Sequence, residues 1–571
     1  MMEKSYTKTI LLTFFLCWGI HSATDAQNLE AIKVPDKKDL FGISGNLNIG
    51  AFLSSSNRSS GIATPFGYHL SGNINLKFSK INVPINLSFT DNRFSSSYNI
   101  PTFQRVGMSP YYKWVKVHAG WRNMNFSKYT LNGASFLGGG IELSPKAFRF
   151  SAMVGKLDQG WNRFDLQNAI PIEEEIILPQ RMAYAVSVGF EKNSNQFKVI
   201  FFGSRDRNKN TVLEDLQTYN ITSGSNFSLG TKWKFRLSKQ LTFEGDWATS
   251  TVTTNNDSAL PGNESGKFIM NLSDAFIPIN RSTQSFFAGE SKLNLRVKAM
   301  RVGFKFQHVD PFFTTYGLQF IRNDFQNYTG NLGFGLLKNK VNINLSYGYQ
   351  RNNLENLKER TSTRKIFSGN VNAQILKPWN LSASYSNFTS DQKAALLEVN
   401  DTFRIANVNK NFNLVQRFQL KSKNKQSISL NFSKNQFTSL TTTLADSENS
   451  SNTVSLSHRI KFKEKHLQIK TALTTSNNNF QDRSTKRFGG NISVSKLLLE
   501  EKLSTSLRLR YQRSLFEDQQ DGYVINFGLN LRYKISPKQS LSFNNNLLNR
   551  RARVQNSLKS WRGNLSYSLS F

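Results

Sequence analysis

The chain has 571 residues and a formal net charge of +35, from 73 Lys and Arg against 38 Asp and Glu, with 12% aromatic residues and one Cys. Its mean hydropathy of −0.44 is that of a polar soluble protein, yet 46 Phe and 17 Tyr imply a large apolar surface to bury or embed. Beyond the N-terminus no run approaches the ~18 consecutive apolar residues of a membrane helix, which excludes a helical membrane protein. Strands that are apolar on one face only combine many aromatics with low mean hydropathy.

In chain order, the first element is an export signal. Lys4 and Lys8 form a positive n-region, residues 10–20 are apolar, and Thr24-Asp25-Ala26 offers the small residues of a cleavage site. Cleavage after Ala26 leaves Gln27 as the mature start. Cys17 lies inside the signal, behind bulky Phe15 and Leu16, so the mature chain has no thiol for disulfides or Cys metal sites. The expected organisation is a signal peptide at 1–26, a short periplasmic segment at 27–40 and one domain at 41–571.

From about Leu40 a single pattern continues to the end. Ile43, Leu47, Ile49, Ala51 and Leu53 alternate with Ser44, Asn46, Asn48 and Gly50, a period of two that separates an apolar face from a polar one. Phe227, Leu229, Trp233, Phe235 and Leu237 alternate with Ser228, Lys232, Lys234 and Arg236. The pattern recurs with Val341, Ile343, Leu345, Tyr347 and Tyr349, and again from Tyr523 to Ile535. Soluble antiparallel sheets alternate too. They do not do so for roughly five hundred residues without a helix to cover them.

Short turns, such as Ser79-Lys80, Ser144-Pro145-Lys146, Ser238-Lys239-Gln240, Lys338-Asn339-Lys340, Lys377-Pro378, Lys423-Asn424-Lys425 and Ser536-Pro537-Lys538, alternate with longer polar loops at 156–179, 204–222, 249–283 and 434–452. Membrane barrels keep short turns in the periplasm and long loops outside. The expected fold is therefore all-β: a single closed antiparallel transmembrane barrel, up-and-down, of about 26 strands within a range of about 22 to 28.

At the C-terminus Trp561, Gly563, Leu565, Tyr567, Leu569 and Phe571 alternate with Arg562, Asn564, Ser566, Ser568 and Ser570, and the chain stops at Phe571. This resembles the terminal strand recognised by the bacterial barrel-assembly machinery. With the signal peptide and the strand pattern, the chain resembles a large outer-membrane β-barrel of a Gram-negative, Bacteroidota-like bacterium. The resemblance implies a multi-pass outer-membrane location, with membrane lipid, lipopolysaccharide and the assembly machinery as partners. Likeness to TonB-dependent transporters stops at barrel size, because 27–39 is too short to form their plug domain.

Charge carries the functional expectation. Some Lys serves the periplasmic turns and membrane edges, where long side chains reach water. Much of the excess falls on the expected lumen face: Lys232, Lys234 and Arg236; Lys292, Arg296 and Lys298; Arg301 and Lys305; Arg459 and Lys461; Arg508 and Arg510; Arg532 and Lys534. Glu244 and Asp246 are among the few acidic counterparts. A lumen of one sign focuses potential and favours the opposite ion. The expectation is a channel or translocation pore for anionic solutes, glycans or a polypeptide, occluded at rest by an inward loop, 249–283 foremost, or by a plug or cargo protein. The alternative is a structural or adhesive barrel displaying its polar loops. Export sets aside nucleic acid as the partner of this basic chain.

Enzyme chemistry, cofactors and metals are not expected. His308 and Asp310 continue the outward face of Val302, Phe304 and Phe306, and Ser457-His458 are strand neighbours that point apart. No metal-ligand spacing links the six His. Glu173-Glu174-Glu175 reads as a solvated loop tip, and Gly138-Gly139-Gly140, with no Lys or helix after it, as a strand start or bulge rather than a phosphate loop.

Overall fold

A computed structural model describes residues 41–571 apart from 58–65, 92–103, 158–179, 208–221, 260–267, 395–404, 442–446, 554–556 and positions 319, 359 and 482. The expected signal peptide, the 27–40 segment, Cys17 and the Glu173 cluster lie outside the described residues. The alternating stretches are antiparallel strands, from Phe41–Ser56 to Leu558–Ser570. Each pairs with its neighbours in sequence, and the last pairs with the first, from Asn46 opposite Ser570 to Ser56 opposite Ser560. Gln104–Met108 and Tyr111–Tyr112 share one place in the wall, between Ile81–Asp91 and Val115–Asn123. The 27 strand segments thus close into a barrel of 26 staves. The break between the two halves falls at Pro110, which has no N–H for the ladder.

Alternation becomes geometry at once. Leu507, Leu509 and Tyr511 are exposed on the outside, whereas Asn46, Asn48, Ser71 and Asn73 line an interior cavity. Exposed apolar side chains around a closed barrel form its lipid-facing surface, so this is a multi-pass outer-membrane barrel. Cross-strand aromatic pairs reinforce that face, with ring centroids 4.9 Å apart for Trp247 and Phe287 and 5.0 Å for Phe306 and Tyr328. The short turns reverse the chain through left-handed residues, including Ser79 at φ 54° and Leu337, Lys338 and Asn339 at 50°, 55° and 63°, as tight hairpins require.

Two expected loops are shorter than their composition suggests. Most of 434–452 belongs to the strands Lys425–Thr441 and Ser447–Phe462, and Thr249 to Thr253 end the strand Leu241–Thr253. Above the lipid both faces of a strand meet water, so its sequence needs no apolar face and reads as loop.

Closure extends to the last residue. Gly45 N donates to Phe571 O at 2.8 Å and Phe571 N donates to Gly45 O at 3.1 Å. A barrel with no free edge resists detergent until heated, so the unheated protein runs faster on gels than the boiled one; equal mobility contradicts closure. Deleting Phe571, or replacing Tyr567 and Phe571 by Ser, removes the end of the closing strand. The expected result is degraded or periplasmic protein, and normal membrane levels of either variant would overturn the assembly role of this strand.

Candidate functional site in the barrel interior

Residues 124–134 join the strands Val115–Asn123 and Ser135–Leu143 at the end opposite the short turns. Instead of entering solvent they cross the interior. Phe126 N bonds Leu131 O at 2.9 Å and Gly133 N bonds Asn125 Oδ1 at 2.8 Å, folding the segment into a compact turn. Its Met124, Phe126 and Leu131 pack with Phe136, Met153, Leu157, Ile200 and Phe202 of the inner wall. Burying one such Phe or Leu contributes about 1.5–3 kcal/mol. Glycines permit the close approach: a Cβ on Gly140 would stand 2.7 Å from Met124 Sδ, and one on Gly230 would stand 2.7 Å from Thr130 Cγ2. The Gly138-Gly139-Gly140 run lies within the strand Ser135–Leu143, where Gly140 makes room for the segment.

The tip is anchored by polar contacts to distant strands. Ser127 Oγ donates to Asp246, and Lys128 N donates to the same carboxylate at 3.2 Å. Lys128 Nζ lies 2.7 Å from Glu290, which also holds Lys292 at 2.8 Å and Lys305 at 3.0 Å. Glu290 is only 4% exposed and stands among three ammonium groups. Tyr129 packs edge-on to Phe313, at 6.5 Å and 82°, within a cluster of Ala248, Ala288, Val309 and Phe325. Burial, then the Glu290 charge, push its phenol above its ordinary range. It stays protonated and accepts from Gln307 Nε2 at 3.0 Å.

A second segment, 310–324, buttresses the first. Thr315 Oγ1 donates to Thr130 O at 3.2 Å, Asn132 N to Gly317 O at 3.0 Å, and Tyr316 N to the buried Asn226 Oδ1 at 2.9 Å. Arg181 forks onto Asp206 at 2.8 and 2.9 Å and stacks its guanidinium 3.5 Å over the Tyr316 ring. In this sector the half of the lumen away from the short turns is therefore packed protein.

The expected inward loop goes the other way. Phe276 stacks at 4.5 Å on Phe227, Ser273 donates to Thr251 Oγ1 at 2.9 Å, and Thr253 Oγ1 donates to Pro278 O at 2.7 Å. Phe227, Thr251 and Thr253 are on the face opposite Ser228, Ser250 and Asp246, which meet the inward segments. The described part of 254–282, with its helix Phe268–Asp274, thus leans on the outside of the wall. Its apolar Phe276 has an apolar partner there in Phe227.

Most of the basic residues singled out above alternate with lipid-facing neighbours and share the inner side of the wall. Lys232, Lys234 and Arg236 lie on the face of Asp246, and Lys292, Arg296, Arg301 and Lys305 continue it across the next two strands. Arg459 and Lys461 stand opposite exposed Leu456 in phase, Arg508 and Arg510 alternate with Leu507 and Leu509, and Arg532 and Lys534 flank exposed Tyr533. Lys298 differs: it sits in a turn at φ 48°. Lys234 pairs with Glu244 at 2.9 Å. His308 and Asp310 lie 2.7 Å apart near outward Phe287, and Asp310 also accepts from Phe287 N.

One constellation was invisible in sequence. Ser109 Oγ lies 2.8 Å from His118 Nδ1, and His118 Nε2 lies 2.6 Å from Glu142 Oε1. The order is that of a hydrolytic triad, but Ser109 and His118 are 1% and 3% exposed, and Ser109 N is bound to Pro84 O. Neither a substrate carbonyl nor an oxyanion has room, and the network instead pins the break at Pro110.

No family model matches the chain, and no curated protein matches it. Among solved structures it is similar to the P pilus usher PapC translocation pore, at 10% identity over 93% of this chain and 100% of that one, with a TM-score of 0.40. It is also similar to OccK8 (OprE) of Pseudomonas aeruginosa, at 9% identity over 61% and 95%, TM-score 0.31. A third is BauA, the ferric preacinetobactin receptor of Acinetobacter baumannii, at 10% identity over 92% and 80%, TM-score 0.38.

Proposed function

We propose that the protein is an outer-membrane channel or translocation pore, held shut at rest by residues 124–134 latched to its own inner wall. The observation that carries this reading is the anchoring of Lys128 and Tyr129, from one side of the barrel, on Glu290 and the Phe313 cluster of another. A barrel of 26 staves is wider than porins of roughly 16 to 18 strands, which pass small solutes, so an unobstructed lumen would breach the membrane. The plug is built into the wall's own connections. The inner Lys and Arg side chains give the remaining lumen a positive potential that favours anionic solutes, glycans or an acidic polypeptide. On this reading lipid and lipopolysaccharide cover the outer face, and the assembly machinery reads the terminal strand.

Planar-bilayer recording tests the latch. The intact protein is expected to stay closed with brief openings, and deletion of 125–133 to give steady conductance that prefers anions. Deletion of 261–275, in the connection whose described part leans outward, is expected to leave the closed state unchanged. Large steady conductance from the intact protein would overturn the proposal, and silence from the 125–133 deletion would favour a sealed structural barrel.

Glu290→Gln leaves Lys128, Lys292 and Lys305 around a neutral amide. Breaking a buried pair costs about 3–5 kcal/mol, reduced here because Lys128 is half exposed. The expected outcome is more frequent opening than wild type in the same bilayer assay. Unchanged opening would show that Glu290 does not anchor the latch.

A further inference from the structure

Below the latch the wall changes character. An interior cavity of about 890 Å³ lies toward the short-turn end, within the size range of small-ligand sites. One row of its lining can be followed from strand to strand by register. Arg301 faces Gly333, Gly333 faces Asn344, Asn344 faces Asn370, Asn370 faces Ser384, and Ser384 faces Asn413. A parallel row runs from Asn331 round to Asn435 through Ser346, Ser368, Ser386 and Asn411. Every side chain in that second row is a carboxamide or a hydroxyl. The field is uncharged, and it ends on a cluster of cations.

Those cations are uncompensated. Arg296 and Arg301 stand directly opposite one another, an arrangement of like charges that destabilises a sheet, and Arg236 lines the same cavity. Among the described residues none of the three has a carboxylate within ion-pair distance, whereas neighbouring Lys234, Lys292 and Lys305 all do. Two facing guanidinium forks match a carboxylate brought from outside.

Resting on the pore reading above, we propose that this cavity binds an acidic oligosaccharide, with a uronate carboxylate on Arg296 and Arg301 and sugar hydroxyls on the amide field. Each Asn presents a donor pair and an acceptor, the complement of vicinal hydroxyls. Neighbouring staves are about 4.8 Å apart and successive inward residues of one stave about 6.8 Å apart, spacings on the scale of a pyranose ring. Asn344, Asn413 and Ser384 make no side-chain hydrogen bond to another described residue, so their polar groups are open to a ligand. A polypeptide is the poorer match. Leu295, Val302, Leu345 and Phe412, though beside the cavity, belong to the outward phase of their strands. The side chains that the two rows point into the cavity are therefore polar.

Calorimetry on the full chain in detergent, titrated with tetragalacturonate, maltotetraose and hexaglutamate, tests the assignment. Tetragalacturonate is expected to bind more tightly than either comparator. Arg296→Gln with Arg301→Gln is expected to weaken it about tenfold or more, as is Asn344→Ala with Asn370→Ala and Asn413→Ala. Gel mobility before and after heating verifies that each variant is folded. Undetectable tetragalacturonate binding overturns the proposal, as does hexaglutamate binding that is equally tight and ignores the Asn substitutions. Anion-preferring conductance of the 125–133 deletion without saccharide binding sinks this site but leaves the pore. Saccharide binding with that deletion electrically silent keeps the site and sinks the pore.

Discussion

In hydrocarbon a backbone N–H or C=O without a partner costs several kcal/mol, and no water is present to satisfy it. A membrane sheet must therefore close on itself. Here closure depends on the pairing of Phe41–Ser56 with Leu558–Ser570 and on the two hydrogen bonds between Gly45 and Phe571. With the ladder complete, each strand is left with two unlike faces, one toward lipid and one toward the interior. Everything else follows from what each face then meets.

Within the lipid the outer face meets one solvent, and it is apolar there. The inner face meets two. Where residues 124–134 and 310–324 fill the lumen, the wall presents Phe136, Met153, Ile200 and Phe202, and the glycines Gly140 and Gly230 leave space for the incoming chain. Where water fills it, the wall presents Asn, Ser and Arg. The boundary between the two regimes is marked by Asp246 and Glu290, whose buried carboxylates take Ser127 and Lys128 of the latch as partners, Glu290 also holding Lys292 and Lys305 of the wall. Without the latch, the two anions would keep Lys232, Lys292 and Lys305 of the wall but lose the Ser127 and Lys128 contacts. The latch and the charge pattern of this sector depend on each other.

The same logic separates a structural polar network from a binding one. Ser109 and His118 are buried against one another, and Glu142 holds His118 and Lys116 together, so they stabilise a break in the wall. Arg296 and Arg301 satisfy nothing in the described chain and face each other. An arrangement that is unfavourable by itself, beside a hydrated cavity, is what an anion site looks like before its ligand arrives.

By itself the sequence determined the barrel, close to its number of staves, and where its short turns fall, because a period of two and short hairpins are local properties. The phase of Lys232, Arg301 or Arg508 relative to its strand neighbours is local in the same way, since successive residues of a strand face opposite sides. Even the latch left a trace: Met124, Phe126, Tyr129 and Leu131 are apolar in a connection, and Val199, Ile200, Phe201 and Phe202 are apolar on both faces of one strand. Only the tertiary structure decided which connection turned inward. Lys128 and Glu290 are 162 residues apart, and their meeting depends on the curvature that brings distant staves across a chord. Length and composition favoured 249–283, but Phe276 of that connection found its apolar partner, Phe227, on the outside of the wall. Likewise, the register that sets Arg301 in line with Asn344 and Asn413 accumulates strand by strand around the wall, and a single residue of slip would have dispersed it.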